Sequence, residues 1–267
     1  MADIVEHPVQ LERVSIRDLM DFLIETCRIA IECGCSSNRI ENLVARLGDA
    51  WGYQVESAAL PTAVWITIRG RGQQLLELVR VKAWAINLNR LALLNDLVDD
   101  VENHRIYLDE AVEKLKAIRI SPSPYPSWLT LIAGGGSSLA LIYTSGGRNL
   151  ELAVGFVIGI VCQLTSLLFS KDSRRFLAEF VSAMTVAYAA SIAVQLLPDL
   201  NMARIIVGSL ISLFPGLVFV NALHEVAQKN LSSGSARLLE ACMIAINLSF
   251  GVAAALGSIR YIARMLA

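Results

Sequence analysis

Charge is what this chain is short of. Only 18% of its residues are charged and 55% are hydrophobic, and 23 Lys plus Arg nearly cancel 24 Asp plus Glu to leave a formal net charge of -1. A soluble domain ordinarily carries about 25% charged residues, so with a mean hydropathy of +0.54 part of the chain is expected to sit in lipid. The material of catalytic and metal sites is equally thin. His104 is the only histidine well inside the first 120 residues, and no Ser, Cys or Asp arrangement there pairs a nucleophile with a base. Gly70-Arg71-Gly72 is too short for a phosphate loop and no helix opening on Lys-Ser/Thr follows it. Cys33-Gly34-Cys35 is too tight for an ordinary zinc half-site and no His or Cys pair follows. The five cysteines, with Cys27, Cys162 and Cys242, form no tidy disulfide set and are expected as reduced, structural thiols. Asp96, Asp99, Asp100 and Glu102 crowd one helix end and are expected as solvated charge rather than a metal cluster. No enzyme, no cofactor and no metal are expected, and nucleic acid is not among the expected partners. Met1 to Asp21 holds acidic residues and no continuous apolar run, so no signal peptide is expected.

What the chain has instead is a change of solvent near residue 127. From there Trp128 to Tyr143, Leu152 to Phe169, Phe176 to Leu197, Ile205 to Ala222 and Leu238 to Ile259 are apolar runs. Each is roughly long enough to cross a hydrocarbon core of about 30 Å at about 1.5 Å per residue. The expectation is an α-helical integral membrane protein with about five transmembrane helices over 128–267, preceded by a small α+β cytoplasmic domain over 1–120. Basic residues flank alternate loops: Lys114, Lys116 and Arg119, then Lys171, Arg174 and Arg175, then Lys229 and Arg237, against only Arg148 and Arg204 in the others. Short-loop Lys and Arg set orientation, which puts the N-terminal domain in the cytoplasm of a cell bounded by a bacterial inner membrane. Arg260 and Arg264, near a C-terminus that five spans would leave outside, fit this poorly.

The first 120 residues have their own periodicity. Ser15 followed by Asp18 resembles a capping box, and Leu19, Leu23, Cys27 and Ala30 recur at helical spacing until Gly34. A second helix is expected from Ser37 or Asn38 to Trp51, ended by Gly52. Strands are expected over Tyr53 to Ala59, Ala63 to Arg69 and Gln73 to Val81, the last two joined at Gly70-Arg71-Gly72, and helices around Trp84 to Val98 and Asp109 to Ile118. Ser121-Pro-Ser-Pro-Tyr-Pro126 cannot continue a helix and reads, over 121–127, as a stiff linker.

Polar groups inside lipid are costly and usually face a bundle interior or a pathway. The runs contain Gly134 to Ser138, Gln163, Thr165, Ser166, Ser182, Thr185, Tyr188, Ser191, Gln195, Ser209, Ser212, Asn247 and Ser249. Gly155-x-x-x-Gly159 reads as close helix packing, while the Gly134 to Gly136 run suits close packing or a polar cavity equally. Pro215-Gly216 is the sharper signal: proline removes a backbone donor and glycine permits an unwound turn, so the helix is expected to break at membrane depth. A plain proline kink is the competing reading. The expected substrate pathway is Pro215, Gly216 and Asn221, with Asn247 and Gln163 as weaker members.

Phe214-Pro-Gly-Leu-Val-Phe-Val-Asn-Ala-Leu-His224 followed by Ser233-Gly-Ser-Ala-Arg-Leu-Leu-Glu-Ala241 is similar to the Pro-Gly, Asn-Ala and Gly-x-Ala-Arg signature of the threonine/serine exporter family. Glu32-Cys-Gly-Cys-Ser-Ser-Asn-Arg-Ile-Glu41 resembles that family's Gly-x-x-x-x-Arg-x-Glu opening. The resemblance runs from about Ile16 to the end. It implies a two-component exporter in which this chain resembles the larger subunit of the split form and a smaller membrane subunit supplies the remaining spans. The substrate class implied is small and polar, threonine and serine or a C4 dicarboxylate such as succinate. His224-Glu225 stands near the place of an acidic residue in the family and is a candidate for coupling to a proton or ion gradient. The other readings are a non-transporting membrane scaffold and a membrane-tethered enzyme or sensor with a cytoplasmic binding domain.

Overall fold

A computed structural model describes residues 14–70, 72–81, 86–122, 125–169 and 175–266, with Arg175 and Leu266 described by backbone alone. Arg71, Trp84, Ser123, Lys171 and Arg174, each named above, lie outside the described residues, as does the start of the chain to residue 13. The chain divides into two compact units, 1–124 with Asn221–Arg237, and Tyr125–Val220 with 238–267.

The first unit opens with α1, Ile16–Glu32, whose N-cap Ser15 accepts the amides of Arg17 and Asp18 at 3.2 and 3.4 Å. These are donors that the helix itself cannot satisfy. Gly34, at φ +77°, ends it, a conformation in which a side chain would clash. α2 covers Ser37–Ala50. Three strands follow, β1 Gln54–Leu60, β2 Ala63–Gly70 and β3 Gln73–Arg80, paired antiparallel in the order β1-β2-β3. The register sets Val64 opposite Val79 and Ile68 opposite Leu75. Because side chains alternate along a strand, Val64, Ile66 and Ile68 point together into the core and are wholly buried.

α3, Leu88–Glu102, starts four residues after the Trp84 expected of it and ends four after Val98. The physical reason is its cap: the Asn87 side chain accepts the Arg90 amide at 3.0 Å, and the pattern Leu91, Leu94, Leu97, Val98, Val101 stays buried to the end. α4 covers Leu108–Ile120. Phe22 of α1 meets Trp51 edge to face at 5.7 Å, inside a core that also buries Leu19, Leu23, Ile29, Ile40, Leu47, Leu94 and Leu115. Each such side chain contributes about 1.5–3 kcal/mol of burial. The carboxylates at the end of α3 are not merely solvated: Arg46 pairs with Asp99 and Glu102, and Asp100 with Lys114 and Arg105. No group of three metal-ligating side chains exists among the described residues.

The second unit is helical: α5 Ser127–Thr144, α6 Asn149–Phe169, α7 Arg175–Leu196 and α8 Met202–Ser209, then a 3-10 turn at Ile211–Leu213. It also takes the start of α9, Gly216–Ala227, and most of α10, Leu231–Leu266. By length and apolarity α6, α7 and α10 can each cross a membrane, and α8 with α9 makes a fourth candidate if the bent pair is one span. Among the described residues the candidate spans by this measure are therefore three or four. Of the five expected runs, Trp128 to Tyr143 falls short, because α5 is 18 residues long with three glycines and two serines at its centre.

Those glycines make a helix contact. A Cβ on Gly159 of α6 would lie 2.9 Å from the Gly134 carbonyl oxygen and 3.1 Å from the Gly135 Cα, closer than atoms pack. Ser138 donates to the Gly155 carbonyl at 2.7 Å across the same seam. Of the two readings open for the glycine run, the structure supports close packing.

Candidate functional site

The Pro215-Gly216 break is present. Proline has no N–H to continue the ladder; the chain leaves helix at Phe214, and α9 resumes at Gly216 with the Phe219 amide bonded to the Pro215 carbonyl at 2.9 Å. The two arms differ in direction by 64°. Pro215 is buried, whereas Gly216 is exposed with open space where a Cβ would be.

The other expected pathway residues each have surroundings of their own. Asn221 is half-buried on α9 and belongs to the first unit. Asn247 of α10 donates its amide to the Phe176 carbonyl and lies 3.4 Å from a Glu179 carboxylate oxygen. Gln163 packs its Cβ and Cγ over Gly134. Several other polar groups flagged in the apolar runs are satisfied on their own helices: Thr165 donates to the Val161 carbonyl, Thr185 to Val181 and Ser249 to Ala245. This back-bonding costs little and asks for no cavity.

The denser polar site lies in the first unit, where the two motif-bearing segments meet. Glu225 on α9 is fully buried; its Oε1 accepts the Ser37 backbone N–H at 2.8 Å and lies 3.4 Å from Nε of Arg237 on α10. Arg237, 3% exposed, donates through Nη2 to the Cys35 carbonyl at 2.6 Å. The Ser37 and Ser233 hydroxyls share a hydrogen bond of 2.5 Å. Further out, Asn38 bonds Gln228 and Asn230, and Gln228 contacts His224 at 2.8 Å. A buried charge is tolerated only when paired and hydrogen-bonded, so this arrangement binds the loop between α1 and α2 to the α9–α10 turn. Gly234 makes the turn possible, since a Cβ there would lie 2.9 Å from the Ala222 carbonyl oxygen.

Burial also decides the chemistry of the cysteines here. Cys27, Cys33 and Cys35 are free and buried. Loss of solvation pushes the Cys35 thiol up to about 11, with the Arg39 charge opposing, and raises Cys27 and Cys33 as well.

Sequence reading missed three of these charged positions. Arg237 was assigned to a loop, but the loop is only 228–230 and Arg237 lies inside α10. Glu151 was not singled out; 3% exposed, it accepts the amides of Arg148 and Asn201 at 3.0 and 2.8 Å and the Arg204 guanidinium at 2.6 Å. Glu179, 5% exposed within α7, was also passed over. An ionisable residue inside an apolar run is itself the signal that marks Glu179, while Glu151 stands immediately before the second run.

A family model described as "Putative threonine/serine exporter" matches residues 21–258. Among curated proteins the chain is 22% identical to the "Pheromone-regulated membrane protein 10" of Eremothecium gossypii, over 93% of this chain and 36% of that protein. The proteins of the same name from Candida albicans and Kluyveromyces lactis are 24% and 23% identical, over 93% and 90% of this chain and 24% and 26% of theirs. The chain thus spans about a quarter to a third of the length of these relatives. No solved structure matches it.

Proposed function

Because the chain belongs to the threonine/serine exporter family, we propose that it is one membrane component of a secondary exporter of small polar metabolites. Threonine and serine are the leading substrates, and a C4 dicarboxylate such as succinate the second choice. The observation that carries this reading is the 64° break at Pro215-Gly216 in an otherwise apolar stretch. Helices broken at membrane depth turn backbone groups toward a substrate instead of toward their own ladder. Asn221, Asn247 and Gln163 are assigned to the same pathway as its polar lining.

In this reading a smaller membrane subunit completes the pathway, because the hydroxyls of Thr165, Thr185 and Ser249 are spent on their own helices. The protein sits in a bacterial inner membrane with residues 1–120 cytoplasmic and about five spans, α5 included. Reporter fusions after Arg148 are expected to read outside and after Lys229 inside. Coupling is to a proton or ion gradient. Of the two residues considered for it, exposed His224 is retained as the coupling candidate, and Glu225, paired to Arg237, becomes a structural pin. The test is export from a strain lacking its own exporters: intracellular threonine, serine and succinate should stay unchanged with this chain alone and fall when the smaller subunit is co-expressed. Full export by the single chain overturns the two-component reading.

A further inference from the structure

A cleft of about 560 Å³ opens in the first unit between the beginning of α2 and the end of α9. One wall is Ser36, Asn38, Arg39, Glu41 and Asn42; the other is His224 and Gln228. Its size falls inside the roughly 300–1,000 Å³ range of small-molecule sites. Every lining residue is polar or ionisable.

The wall residues divide by whether they are already engaged. Asn38 and Gln228 bond each other, and Gln228 bonds His224; they hold the walls together. Glu41 accepts the Ala59 amide at 2.9 Å through one oxygen, which fixes the carboxylate and leaves the second oxygen available. The side chains of Arg39 and Asn42 make no hydrogen bond or ion pair among the described residues, and the Ser36 hydroxyl leaves the α2 amides uncapped. A guanidinium offers five donors in a planar fork that fits a carboxylate on two points, and here it borders a cleft with amide and hydroxyl donors beside it.

We propose that this cleft is a binding site for a small carboxylate-bearing metabolite, with the carboxylate on Arg39 and further donors from Ser36, Asn42 and His224. Glu41 decides between the two chemistries that bring a carboxylate. Its negative charge repels a second carboxylate and accepts an ammonium, so a free α-amino acid is favoured over a dicarboxylate. Arg39 and Glu41 are the arginine and the acid of the opening motif, and His224 follows the Asn-Ala pair of the later one. The cleft therefore gives both motif segments a shared role outside the Pro215-Gly216 break. It rests on the exporter reading for the identity of the ligand, and it makes the first unit a substrate-sensing or loading site.

The experiment is isothermal titration of the full chain in lipid nanodiscs with L-threonine, L-serine, succinate and threoninol, which keeps the ammonium and lacks the carboxylate. Threonine should bind saturably. Arg39→Gln should weaken it at least about tenfold, the worth of a lost charge-assisted pair, with partial recovery in Arg39→Lys, and threoninol should bind no better to the wild type than threonine does to the variant. Glu41→Gln should narrow the preference for threonine over succinate. Threonine binding that is unchanged in Arg39→Gln, or no binding at millimolar threonine, overturns the site; succinate binding more tightly than threonine overturns the assignment to an amino acid. If threonine fails to bind while the co-expressed pair still exports it, the cleft is wrong and the exporter reading stands. If Arg39-dependent binding is present and the pair exports nothing, the exporter reading falls and the cleft stands.

Discussion

Glu225 accepts the backbone N–H of Ser37 at 2.8 Å across 188 residues of chain. The bond places a buried carboxylate against the first amide of α2, and the same carboxylate oxygen faces Arg237. One acid thus joins the start of α2 to the consecutive helices α9 and α10, which the sequence keeps far from it.

Removing one member of this pair should therefore cost more than a surface ion pair would. Arg237→Ala leaves Glu225 buried and uncompensated, an error worth about 3–5 kcal/mol, and should lower the thermal unfolding midpoint of the detergent-purified protein. Glu225→Gln keeps an acceptor for Ser37 and should cost less. The exchange Glu225→Arg with Arg237→Glu should not restore stability, because it turns a donor toward the Ser37 amide; recovery by the exchange would mean that only the charge pair matters.

Local signals were legible in the sequence wherever one residue decides the backbone. Ser15 caps α1, Gly34 and Gly52 stop the first two helices at positive φ, and the strands fall within a residue or two of their expected limits. Pro215-Gly216 is legible for the same reason. The Glu225–Arg237 pairing was not, since it depends on segments that meet only after folding. Ser232, Ser233, Gly234 and Ser235 depress hydropathy and make a loop of what is the first part of α10. Ser233 is there because it bonds Ser37, and Gly234 because α9 lies against it. α5 is less legible for a related reason: its glycines admit a neighbouring helix at the expense of apolarity.

The α5–α6 seam gives a contrast between neighbouring glycines. Gly159→Val sets a side chain against the Gly134 carbonyl and the Gly135 Cα, backbone atoms that cannot step aside, and should destabilise by about 1–3 kcal/mol or more. Gly136→Ala meets nothing within 4 Å and should be neutral or slightly stabilising, since alanine is the better helix former. Unfolding midpoints of the two variants measure the difference; equal values would remove the close-packing account of this seam.

The buried thiols give a pH dependence. With Cys35 raised to about 11 from an ordinary 9.0, the folded protein holds its proton more tightly than the unfolded chain does. The corresponding stability is fully present below about pH 9 and is lost as pH rises toward 11. Maleimide labelling at pH 7.5 should accordingly leave Cys27, Cys33 and Cys35 unmodified in native protein and modify all three in denaturant, as read by mass spectrometry of the digest. Labelling of Cys35 in native protein at the rate of a free thiol contradicts the burial described.

The break between α8 and α9 separates the pathway reading from a packed kink. Gly216 has open space at its Cβ, so Gly216→Leu should fold and insert normally while setting a bulky side chain at the break. Asn221→Ala removes an amide that, in a packed kink, contributes a modest interhelical bond of about 0.6 kcal/mol. Neither change touches the Glu225–Arg237 pair. In export assays with the proposed smaller subunit co-expressed, both variants are expected to reach the membrane at wild-type levels and to lose most transport, Gly216→Leu more completely because it would obstruct the proposed passage rather than weaken one contact. Pro215→Ala restores a backbone donor at the break, should straighten the pair, and should fail with them. Wild-type export by Gly216→Leu and Asn221→Ala in assembled protein would make the 64° bend a matter of packing and move the search for the passage to Glu179 and Asn247, where a buried acid and an amide already face each other.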